Sequence, residues 1–168
     1  MATTVNEAKI IGQLIVSERL SKTGLAAGGT TSYIDVINQI IEQQNLTSGS
    51  SVDAEVVYMG TFTLSSGTVT IDLKALTNAE GDTIVTESKK VRAIMARAAA
   101  ANTGSFTIAD GASNGYQMFG NGFTIALNDA NWFLSYLGAD APAISDSAKT
   151  LDCSGTGSET CLVIIVFG

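Results

Sequence analysis

Cys153 and Cys161 carry the most reactive side chains in the sequence, and they flank the loop Ser154–Thr160 near the ends of two strand-like runs. Opposed residues of an antiparallel pair approach to ~4.5–5.5 Å between Cα atoms, so the spacing admits a hairpin-closing disulfide. The N-terminus, MATTVNEAKIIGQLIVSERL, has neither the basic-then-apolar pattern nor the small-residue cleavage site of a secretory leader. In a reducing compartment the same pair reads as two reduced, partly buried thiols. Two cysteines in a chain with no histidine do not make a zinc site. The missing imidazole also removes Ser-His and Cys-His nucleophiles and HExxH centres. Of the 16 Asp and Glu residues, no spacing singles out an acid–base pair. Asp110 and Asn114 lack the alternating acids of a calcium loop, and Gly155-Thr156-Gly157 lacks the Lys-Ser/Thr of a phosphate loop. The expectation is a protein that is not an enzyme and holds no cofactor or metal.

Two other clusters suit contact rather than catalysis. Lys89, Lys90, Arg92 and Arg97 gather four of the 9 basic residues. They read either as a patch for an acidic protein surface or as charge along an exposed edge strand that blocks edge-to-edge aggregation. The stretch Asp110–Gly122 (DGASNGYQMFGNG) combines turn-forming Gly and Asn with aromatic rings. Asn114, Tyr116, Phe119 and Asn121 there form either a glycan- or protein-contacting tip or a loop folded over the open end of the domain, its rings plugging the core. A net charge of −7 argues against a groove that tracks phosphates, so no nucleic-acid partner is expected.

The elements that hold these residues follow two periodicities. With 168 residues there is room for one domain and a short appendage. Only 15% are charged, against a usual ~25%. From Ser32 to Leu46, Tyr33, Val36, Ile37, Ile40 and Ile41 recur at helical spacing and predict an amphipathic helix. Val5, Ala8, Ile11, Leu14 and Ile15 suggest another helix upstream, although the run from Ile10 to Val16 also suits a buried strand. Residues 1–50 are therefore expected to form a helical arm, with Tyr33, Val36, Ile37, Ile40 and Ile41 as its anchoring or inter-subunit stripe.

After Ser51 the period becomes two. The runs at 54–64, 67–73, 90–98, 105–110, 122–127, 131–137, 149–153 and 160–168 alternate with Gly/Asn/Asp turn signals, and Ser65-Ser66-Gly67 reads as a hairpin turn. Residues 52–168 are expected to form an antiparallel β-sandwich, jelly-roll-like. The longest apolar run, Cys161–Phe167, is too short to span a bilayer as a helix, which needs ~20 residues. No membrane partner is expected.

From about Gly67 onward the sequence resembles the small β-rich virion proteins of tailed bacteriophages. The resemblance lies in GTVTIDLKALTNAEGDTIV (67–85), KKVRAIMARA (89–98) leading into ANTGSFTIAD (101–110), NWFLSYLGAD (131–140) and KTLDCSGTGSETCLVIIVFG (149–168). Closing strands of the form TLD, a Gly/Ser/Thr turn, an apolar run and Gly recur in that group. The N-terminal part has no counterpart there, and Cys153 and Cys161 depart from its usual residues. The resemblance implies a capsid-decoration or head-spike role. The protein would be a homotrimer docked on the major capsid or another virion protein, located in the virion and assembled in the host cytoplasm. It transfers no catalytic residues.

Overall fold

The computed structural model describes residues 9–23, 31–46, 52–78 and 80–168. They divide into two units, one being Lys9–Asn45 and the other containing everything from Leu46 onward.

In the first unit, β1 (Lys9–Thr23) and β2 (Thr31–Asn45) pair antiparallel in unbroken register, from Lys9 opposite Asn45 to Thr23 opposite Thr31. This corrects the expected helical arm. Positions 34, 36, 37, 40 and 41 are all Ile or Val, as are 10, 11, 15 and 16 across the ribbon. β-branched residues lose side-chain freedom in a helix and suit a pleated surface. The side chains of Tyr33, Val36, Ile37, Ile40 and Ile41, expected as an anchoring or inter-subunit stripe, lie outside those described.

The second unit contains eight strands where the alternating runs were expected: β3 (Val56–Thr63), β4 (Thr68–Asp72), β5 (Val91–Ala98), β6 (Phe106–Asp110), β7 (Thr124–Leu127), β8 (Trp132–Tyr136), β9 (Thr150–Ser154) and β10 (Thr160–Phe167). Two antiparallel four-stranded sheets result, ordered β3-β10-β5-β8 and β4-β9-β6-β7. The pairing is nested: β3 with β10, β4 with β9, β5 with β8 and β6 with β7. Pairs β10·β5 and β9·β6 then join these ribbons into the two sheets. The turn at 65–67 is present, but β3 and β4 lie in different sheets, so it is a corner rather than a hairpin. Gly67 makes that corner with φ +83, and a Cβ there would meet the Gly155 carbonyl oxygen at 2.9 Å.

Seven of the eight strands place buried side chains in one core, and Phe133 of β8 packs against it. The first sheet contributes Tyr58, Ile94, Val163, Ile165 and Phe167, and the second Ile71, Phe106, Ile108, Leu127 and Leu151. Burial on this scale is the main favourable term for the fold, about 1.5–3 kcal/mol for each large side chain taken out of water.

Candidate functional site

The residues singled out by sequence do not converge. Cys153 and Cys161 are free and buried, and β9 and β10 belong to opposite sheets, so no hairpin exists for a disulfide to close. Burial pushes the Cys153 thiol up to about 12, with Cys161 and Asp152 adding to it, and the Cys161 thiol up to about 11. Both are core side chains with little thiolate character.

The basic cluster does not line a sheet edge. β5 lies between β10 and β8, so Arg92 and Arg97 sit on an interior strand. Lys89 pairs with Glu55. Lys90 Nζ donates to the Ala139 carbonyl at 2.8 Å. Arg92 is nearly buried, donating to the Gly138 carbonyl at 3.1 Å and facing Asp53 at 3.7 Å. Local partners therefore absorb three of these charges, and Arg97 stays exposed.

In the loop before β7, Tyr116 is fully buried, which corrects its reading as a contact residue. Its hydroxyl donates to the Pro142 carbonyl at 2.7 Å and accepts the Val91 N–H at 3.0 Å. The Asn114 carbonyl, at a residue with φ 54, accepts the N–H groups of Lys149 and Thr150. Phe119, 40% exposed, meets Phe123 and Phe133 edge-to-face at centroid distances of 5.3 and 5.8 Å. Asn121 is exposed, its side chain facing Gln117 at 3.4 Å. The loop is tied to β9, and Tyr116 and Met118 fill the core. Among the described residues, no group of three or more Cys, Asp or Glu side chains could hold a metal ion.

The outward faces of the two sheets differ sharply. On the β4-β9-β6-β7 sheet, cross-strand rows read Thr68, Ser154, Thr107, Ala126 and Thr70, Asp152, Ala109, Thr124. That face is polar and bonded within itself: Thr70 Oγ1 donates to Asp152 Oδ1 at 2.7 Å. On the β3-β10-β5-β8 sheet the central row is Met59, Ile164, Met95, Leu134. Beside it lie Val57, Val166, Ala93, Tyr136 on one side and Thr61, Leu162, Arg97, Trp132 on the other. Met59 is 68% exposed, Trp132 65% and Tyr136 37%.

This face was missed in the alternating pattern, although the sequence carries a signal for it. The closing strand runs LVIIVF without a polar residue, and a strand apolar at every position has both faces built for apolar contact. Ala93 and Val166 in one flanking row are already buried within the chain, so the exposed apolar part of the face is carried by Met59, Val57, Trp132 and Tyr136.

Comparison with known proteins finds no match: no protein-family model fits the chain, and no curated protein or solved structure matches it.

Proposed function

We propose that this chain is a structural accessory protein of a virus particle, of the capsid-decoration or head-spike kind found in tailed bacteriophages. It self-associates, as a trimer in this reading, docks on the major capsid or another virion protein, and is assembled in the host cytoplasm. It acts by contact rather than by catalysis.

The observation that carries this reading is the pairing of one polar and one apolar outer sheet face on the same domain. A free-standing domain gains nothing from exposing Met59, Trp132 and Tyr136 together, whereas a subunit covered on one side does. We assign the eight strands to a jelly roll. Their nested pairing, first with last and second with seventh, supports that assignment, and the topology is one used by viral capsid and lectin domains. The sequence resemblance to phage virion proteins agrees with it. The rival glycan-binding reading loses its central ring with Tyr116 in the core.

The test is co-sedimentation of the chain with particles from cells that produce it. Recovery in the particle band at a fixed ratio to the major shell protein is expected. A chain that stays wholly in the soluble fraction overturns the reading.

A further inference from the structure

We infer that Asn121 is a self-modifying site, at which the backbone nitrogen of Gly122 closes on the Asn121 side chain, expels ammonia and leaves a succinimide that water opens to isoaspartate or aspartate. The inference is independent of the reading above.

The chain holds two Asn-Gly pairs in the loop before β7, Asn114-Gly115 and Asn121-Gly122. Glycine leaves the attacking nitrogen unhindered, so the dipeptides alone would behave alike. The fold separates them. A rotation that brings the glycine nitrogen onto the Asn side chain also swings the Asn main-chain carbonyl, because both belong to one planar peptide unit. At Asn114 that carbonyl accepts the Lys149 N–H at 2.7 Å and the Thr150 N–H at 3.0 Å. Gly115 is held as closely: a Cβ there would lie 2.3 Å from the Gly111 carbonyl oxygen. Asn121 is exposed, and its main-chain carbonyl accepts no hydrogen bond from the described residues. Gly120 and Gly122, on either side of it, have open space around their Cβ positions. Asp110, the last residue of β6, supplies the second group the reaction needs. Its Oδ2 accepts the Gly122 N–H at 3.1 Å. As the Gly122 nitrogen bonds to Asn121 Cγ, Asp110 takes its proton, and that proton leaves with the side-chain nitrogen as ammonia when the Cγ–Nδ2 bond breaks. Water then adds to either carbonyl of the ring, with no oxidant or reductant involved. The product carries a carboxylate where the side chain was neutral.

The test is peptide mapping of the full chain held at pH 8 and 37 °C, with isoaspartate and aspartate at each position read by mass spectrometry. Conversion at Asn121 should outpace that at Asn114 by about tenfold or more, since Asn114 must first break two backbone hydrogen bonds. In urea the two rates should converge. Asp110→Ala should slow conversion at Asn121 severalfold in the folded chain and not in urea; alanine is chosen because asparagine there would create a third Asn-Gly pair with Gly111. Equal native rates, or faster conversion at Asn114, overturn the inference, as does an Asn121 that stays intact in the folded chain while it converts in urea. A gap that persists in urea belongs to the local sequence rather than the fold and overturns it too. Unchanged or faster native conversion in Asp110→Ala overturns the role of Asp110 as proton acceptor.

Discussion

The Tyr116 hydroxyl accepts the Val91 N–H at 3.0 Å and donates to the Pro142 carbonyl at 2.7 Å. One side chain thus ties the long loop before β7, the start of β5 and the segment after β8 together. Tyr116→Phe keeps the ring but leaves both backbone groups unpaired, and should cost about 1–3 kcal/mol in urea unfolding. Tyr116→Ala should cost about 3–5 kcal/mol, because it also leaves a cavity. Wild-type stability in Tyr116→Phe would show that the bonds are replaced by water.

Both cysteines should be inert in the native state. Their thiols are held at about 12 and 11 by burial, and thiolate is the reactive form. Alkylation of Cys153 and Cys161 at pH 8 should be at least tenfold slower than in urea, as read by intact mass. Rapid native labelling would contradict their placement.

The same burial predicts an alkaline limit to stability. Tyr116 is raised from 10.0 to about 12, Cys153 from 9.0 to about 12 and Cys161 from 9.0 to about 11. Each group is neutral and favoured in the folded state, so its contribution is complete below pH 9 and is lost as pH rises through 9 to 12. The urea midpoint should be level from pH 7 to 9 and fall steadily above it. Glu159 acts at the other end. The Thr156 hydroxyl and backbone N–H groups hold its carboxyl below the usual carboxylate range. Its contribution is present above the ordinary carboxylate pKa and is lost as pH falls through the folded value. Glu159→Gln should flatten the acid limb of the same curve.

Gly155 offers a steric test of the domain's end. A Cβ there would lie 2.6 Å from the Ser105 carbonyl oxygen and 2.7 Å from Leu64 Cδ1. Gly155→Ala should lower stability by about 1–3 kcal/mol, as overpacking does, whereas Gly81→Ala has nothing within 4 Å of its new methyl and should act only through its φ of +88.

The strands of the second unit were legible because Val69, Ile71 and Leu73 alternate with Thr68, Thr70 and Asp72, and because turn residues punctuate each run. Their partners were not, because pairing such as Val163 with Gly60 joins residues from opposite ends of the domain and leaves no local mark. The arm misled for a different reason. Its apolar positions satisfy a helical period by spacing and a strand by residue type, and the antiparallel register from Lys9 to Asn45 decides between them. Tyr116 and Phe119 sit three residues apart in one Gly/Asn-rich loop, yet one is a core plug and the other half-exposed. Composition cannot separate them, since either ring suits a contact tip or a plug.

Sedimentation equilibrium of the unmodified full chain, followed from about 1 to 100 μM, tests the central claim most directly. The account predicts a mass of two or more chains of 17.3 kDa each. A mass of 17.3 kDa across the whole range would contradict it.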